Sequence, residues 1–143
     1  MFFIMKRKAM SWKIEWVAPK GKIEANENPE FTCVREISEE TWMDINSLHI
    51  KTKLQSWIEL KNMNFGGWTI DKTISYYLVE YMGDPNQITI AHTEGLTGMY
   101  KWSSLMDIMN LVPYRDLRAI FREAYDYLEK QLQKKKMIDS III

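Results

Sequence analysis

The most constraining stretch of this chain is one helix whose two faces need opposite surroundings. In "NPEFTCVREISEETW", Asn28 suits an N-cap, Pro29 the first helical position, and Glu30 the positive pole of the helix dipole. At about 100° per residue, Phe31, Val34, Ile37 and Thr41 fall on one arc and predict a core face. Glu36, Glu39 and Glu40 fall on a separate arc about 100° wide. Glu-rich helix faces are most often merely solvated. Here the i, i+3, i+4 spacing predicts that the three carboxylates converge, and Arg35, four residues before Glu39, is placed to hold one of them. A fold for this chain must give that helix an apolar layer on one side and compensating positive charge on the other.

The remaining segments predict such a layer. "FFIMK" reads as a short buried strand, and "SWKIEWVAP" as a second extended segment ended by Pro19. "KGKIEANEN" is a loop. "SLHIKTKLQSWIELKNMNF" reads as one or two strands with a turn at Gly66-Gly67, and "KTISYYLVEYM" as the strongest strand. "QITIAHT" is expected to continue the sheet, and "SSLMDIMN" to form a short Ser-capped helix. After Pro113 a long amphipathic helix is expected to about Lys135, burying Leu117, Ile120, Phe121, Ala124, Leu128 and Leu132. Its "KKK" ending suits the negative helix pole. The expectation is an α+β fold. Without repeats, low-complexity linkers or a composition break, we read residues 1–143 as a single domain, long enough to bury a core without disulfides.

Composition bounds the partners. Lys plus Arg equals Asp plus Glu at 19 each, so no global field selects nucleic acid or membrane, and any attraction for a phosphorylated ligand must be local. Cys33 is the single cysteine, which fits a reducing, cytoplasmic setting. Met1–Met5 is too short for a signal-peptide core, and no segment approaches the roughly 20 apolar residues that span a bilayer. The terminal "IDSIII" reads as a packing tail or dimer contact.

From Gly21 the spacing runs Gly, five residues, Glu27, seven residues, then Arg35-Glu36-Ile37-Ser38-Glu39-Glu40-Thr41-Trp42-Met43. This resembles the signature of the Nudix hydrolases over residues 21–43, matching every position but the last Gly, where Trp42 stands. Trp42 must bear left-handed strain or end the helix differently, with its ring buried beside Met43, and a changed helix exit with the three carboxylates still together is expected. "KTISYYLVEY", "YKW" and the final helix are similar to the second half of the diadenosine tetraphosphate hydrolase branch. The resemblance implies an α/β/α sandwich with a mixed sheet. Family domains usually place another strand before the one "FFIMK" resembles, so an edge left free or covered by a partner chain, as in a homodimer, is expected.

What the resemblance implies about chemistry is a Mg²⁺-dependent pyrophosphohydrolase, with Mn²⁺ as the alternative ion, that cleaves a nucleoside diphosphate linked to another group. Mg²⁺ takes oxygen ligands and substrate phosphates, and a metal pair can clamp phosphates and activate water. By resemblance Glu36, Glu39 and Glu40 are the metal ligands, with the Gly21 carbonyl, while Arg35 and Glu27 orient them. Lys20 is expected to contact phosphate. The general base is a box Glu or a later acid, for which Glu94 is the candidate, although it lies farther before Trp102 than the family usually places it. His92 is a second candidate, with a structural strand-end role as the commoner alternative. Tyr76 lies where that branch places its stacking Tyr, against the simpler reading of a core aromatic, and Lys72 is expected to meet a phosphate or to be an ordinary strand-end charge. Glu80 is read as solvent-facing, Trp57 and Trp68 as core or rim. The expected substrate is a small nucleotide, most directly a dinucleoside polyphosphate. An RNA 5′ end, a nucleoside triphosphate, or a non-catalytic nucleotide-binding module are the alternatives, and no membrane partner is expected.

Overall fold

Ile4 and Met5 are neighbours in sequence and lie at 0% and 1% exposure on opposite faces of one strand. That strand, β1 (Phe2–Lys8), is therefore covered on both sides. The structure, a computed structural model, describes residues 1–9, 12–91 and 95–142, without the side chains of residues 65 and 136–142. β1 is the middle strand of a three-stranded sheet, between β2 (Ile14–Val17) and β5 (Leu96–Ser103). Two further strands, β3 (Leu48–Phe65) and β4 (Trp68–Tyr81), form one long hairpin whose turn carries Gly66 and Gly67 at φ 57° and 88°, a region that favours glycine. The α+β architecture holds, with every strand pairing among the described residues antiparallel rather than mixed. The short Ala9–Lys13 connection between β1 and β2 permits only that arrangement for this pair.

The two faces of the β1 sheet bury separate clusters. Ile4 packs with Ile108, Val112, Leu117 and Phe121, which belong to α2 (Leu105–Leu111), the turn after it and α3 (Arg115–Ile142). Met5 packs with Met43, Leu48, Ile88 and Ile90, joined by Val34 and Ile37 of α1 (Pro29–Thr41). Leu54, Ile120 and Ala124 fix α3 to the hairpin. There the Glu123 carboxylate accepts the backbone N–H groups of Gln55 at 2.9 Å and Ser56 at 3.1 Å, beside the register shift between Lys53 and Trp57 that would otherwise leave those donors unpaired.

Several expectations are corrected. Residues 88–91 of "QITIAHT" form no strand. Ile88 and Ile90 are buried, but the Thr89 and Ala91 N–H groups donate to the Thr41 and Glu40 carbonyls at 3.3 and 2.8 Å. Those carbonyls belong to the last turn of α1, which has no intrahelical partners for them. α3 runs past Lys135 to Ile142, so Lys134 to Lys136 lie inside the helix rather than at its pole. Its buried stripe stops at Ala124, since Leu128 and Leu132 are 41% and 49% exposed. On α1, Phe31 is exposed, while Thr32 is buried where its hydroxyl donates to Glu27 at 2.6 Å.

Candidate active site

α1 starts as its sequence requires. The Asn28 side chain accepts the Phe31 N–H at 2.7 Å, and Pro29 fills the first position. The loop before it lies over the helix so closely that a Cβ at Gly21 would collide with the Glu36 carboxyl group. A side chain at position 21 would displace the Glu36 carboxyl from where it lies.

Arg35 is the centre of the helix face. Its guanidinium donates to Glu27, to Glu36 at 3.0 Å, to Glu39 at 3.1 Å and to the Lys22 carbonyl at 3.1 Å. The bonds from Arg35, with help from Thr32, hold the Glu27 carboxyl down to about 2, and the guanidinium is raised further by the same contacts. Glu40 is held differently. Burial raises its carboxyl to about 7, with Arg7 opposing the shift and Glu36 reinforcing it, and its Oε2 is buried without a hydrogen-bond partner among the described residues. Burial also lowers the Lys20 ammonium, and so do the nearby charges of Arg7 and Lys72.

Glu36, Glu39 and Glu40 thus share one side of α1 without closing on one point, as the spacing predicts they should. Arg35 draws Glu36 and Glu39 to itself while Glu40 faces Arg7 and Lys20. Among the described residues, no three His, Cys, Asp or Glu side chains are grouped tightly enough to hold a metal ion as they stand. The donor chemistry nevertheless fits a hard divalent cation. Every side chain on offer is a carboxylate, one oxygen of Glu40 lacks a partner, and Gly21 leaves its backbone open against Glu36.

The exit of α1 also departs from expectation. Trp42 does not change the geometry that Gly would give. It adopts φ 56°, ψ 20°, and its N–H donates to the Ser38 carbonyl at 2.9 Å. Its ring is 71% exposed and gains no burial beside Met43, which is itself buried. Left-handed geometry costs a non-glycine residue roughly 1–2 kcal/mol, and Trp42 bears it.

A cleft of about 1080 Å³ opens beside this helix. Arg7, Lys20, Lys22, Lys51, Lys53 and Lys72 line it against two carboxylates, Glu36 and Glu80, so a neutral chain has a locally cationic wall. Tyr76 lies between core and cleft. It packs against the core with Ile58 and also lines the cleft, burial raising its phenol. Lys72 is exposed on the same wall. Glu80 is not simply solvent-facing: it is half-buried and pairs with Lys51 at 2.7 Å. Trp57 and Trp68, 59% and 77% exposed, lie outside the core. Glu94 and His92 lie outside the described residues. Arg7 and Lys51 are cleft residues that the sequence reading missed. Arg7 follows Phe3 and Met5 at period two on the face toward α1, and that alternation was the available signal.

Fold and site together define a class: an antiparallel α+β scaffold presenting an acidic helix to a cationic, aromatic-walled cleft suited to phosphate compounds. The NUDIX domain profile matches residues 2–127, and the chain belongs to that family of hydrolases. Among its relatives is the asymmetrical bis(5′-nucleosyl)-tetraphosphatase of Sus scrofa, 26% identical over 113 residues, which cover 79% of this chain and 71% of that one. An RNA pyrophosphohydrolase of Cereibacter sphaeroides is 24% identical over 115 residues, covering 76% and 70%. The fold is shared with a Caenorhabditis elegans Ap4A hydrolase binary complex at a TM-score of 0.68 and 20% identity, over 90% of this chain and 86% of that one. The likeness runs toward the diadenosine tetraphosphate hydrolase branch.

Proposed function

We propose that this chain, as one domain with its signature helix at 21–43, is a Mg²⁺-dependent pyrophosphohydrolase whose substrate is a dinucleoside polyphosphate. The observation that supports it most is the juxtaposition of the Arg35-held carboxylates and the partnerless Glu40 oxygen with a cationic cleft. Glu36, Glu39 and Glu40 with the Gly21 carbonyl would hold the cation, Mg²⁺ or in its place Mn²⁺. When bound, the cation supplies neutralisation of phosphate charge and acidification of water. The chain's own groups have separate tasks. Arg35, tied to Glu27, fixes the rotamers of Glu36 and Glu39. Lys20 and Lys72 engage phosphate oxygens. Tyr76 stacks on a base, an interaction worth roughly 1–3 kcal/mol. Glu40, a carboxylate of the signature helix, is one candidate to take the proton of the attacking water; Glu94 is the other. The setting is cytoplasmic, and a second copy covering the free edge of β2 would make a homodimer.

A second reading is favoured by the RNA pyrophosphohydrolases among the relatives: the same cleft acting on an RNA 5′ end. Purified protein with Mg²⁺ and a panel of dinucleoside polyphosphates, triphosphates, nucleotide sugars and 5′-triphosphorylated oligoribonucleotides separates the two. Turnover of dinucleoside tetraphosphate ahead of the rest is expected. Turnover of none by a folded protein defeats the enzymatic reading and leaves a nucleotide-binding module.

A further inference from the structure

Arg7 is half-buried in the cleft wall, yet among the described residues its guanidinium has neither a hydrogen bond nor an ion pair within 4 Å. An arginine offers five N–H donors in a rigid fork, and leaving them unmet in a partly desolvated position is unfavourable. Alternation along β1 puts it on the face toward α1, and the strand paired beside it is irregular. β1 and β5 pair Met5 with Tyr100, but Arg7 pairs with Leu96, so the register shifts between them and β5 carries extra residues around Gly98 at φ 83°. Bulges recur beside active sites. Gly95, at φ 87°, completes the arrangement. It lies against Arg7, and its left-handed backbone, rather than lack of space, is what favours glycine there.

Among the described residues, Lys20 and Glu40 lie close enough to Arg7 to feel its charge, and Lys72 repels Lys20 from the other strand system. Cations held together against their repulsion in a cleft of this size attract a ligand carrying several negative charges along a chain.

We infer that Arg7 is a phosphate-binding residue, the third member with Lys20 and Lys72 of a cradle for an oligophosphate chain. Its planar fork suits two oxygens of one phosphate, whereas each lysine meets its phosphate as a point charge. The substrate part of this inference rests on the pyrophosphohydrolase reading. Binding of the anion alone does not.

The test is calorimetric titration of metal-free full-length protein with inorganic tripolyphosphate. Wild type binds, Arg7→Met weakens binding about tenfold or more, Arg7→Lys recovers part of it, and Lys134→Met, an equal charge change on exposed α3, changes it little. Wild type that does not bind tripolyphosphate, or Arg7→Met no weaker than Lys134→Met, overturns the inference. If circular dichroism shows Arg7→Met unfolded, Arg7→Lys carries the test, and affinity equal to wild type overturns it. Arg7-dependent binding without turnover of any nucleotide keeps this inference and defeats the enzymatic one; turnover that survives Arg7→Met unchanged does the reverse.

Discussion

Arg35 grips Glu27 through two parallel bonds, Nε to Oε2 at 2.5 Å and Nη2 to Oε1 at 2.9 Å. The pair joins the loop before α1 to the middle of the helix, and the remaining guanidinium nitrogen is thereby aimed at Glu36 and Glu39. Replacing Glu27 by Gln keeps the shape and removes the charge. We expect hydrolytic activity to fall about 10- to 100-fold, the usual effect of loosening groups that orient metal ligands. The pH dependence has a defined sign. The folded-state carboxyl lies near 2, below its ordinary value of 4.5, so its stabilisation is present above pH 4.5 and lost as pH falls toward 2. Acid unfolding of Glu27→Gln followed by circular dichroism should lack that component; an unchanged acid limb contradicts the bidentate pair.

Glu40 gives the opposite slope. Its folded-state carboxyl lies near 7, above the ordinary 4.5, so the folded metal-free protein holds a proton that the unfolded chain has released. Stability is full below pH 4.5 and declines as pH rises to 7. Glu40→Gln should therefore unfold at higher denaturant at pH 8 than wild type, by about 1 kcal/mol once solvent access to the carboxyl is allowed for. The same variant should lose about 10²- to 10⁴-fold in activity. Full activity in Glu40→Gln would remove it from the chemistry altogether.

Trp42→Gly tests the helix exit. Relief of left-handed strain is worth roughly 1–2 kcal/mol, and the extra freedom of an unfolded glycine offsets about 0.5–1 of it. A net gain of about 0.5–1 kcal/mol in urea unfolding is expected, with activity retained because the ring is exposed and takes no part in the hydrogen bonds of Arg35. A loss of stability would mean that the indole makes a contact its exposure conceals.

The two ends of the α3 stripe should respond unequally. Leu117→Ala removes a side chain 5% exposed and should cost about 2–5 kcal/mol. Leu132→Ala, at 49% exposure, should stay within about 0.5 kcal/mol. Equal costs in thermal unfolding would show that another surface covers the far half of the helix.

α1 was legible in the sequence because its signals are local: a cap, a proline and an acidic arc, each decided within a few residues. What those signals could not give was competition. The spacing of Glu36, Glu39 and Glu40 sets their directions from the helix axis, but Arg35, on the same surface, decides where two of the carboxylates rest. Residues 88–91 misled for a related reason. Alternating isoleucines report burial at period two, which a chain lying along a helix end satisfies as well as a strand does. The stripe through Leu132 predicted a helix correctly but says nothing of where the neighbouring hairpin ends. Alternation along β1 gave the face of Arg7, but not that a cleft lined by Lys20 and Lys72, distant in sequence, opens on that face.

The two bonds from Thr89 and Ala91 to the end of α1 carry a consequence for how the molecule can be altered. The Ala91 amide is fastened to the carbonyl of Glu40 itself, so the chain after β4 works as a splint on the signature helix. Slow amide exchange at 89 and 91 should rise and fall with that of the helix rather than with the hairpin. Insertions among the exposed residues Asp84–Gln87 are cheap, as loop lengthening generally is. One residue inserted between Ile88 and Ala91 would instead unpick the splint and loosen Glu40 without touching the signature at all.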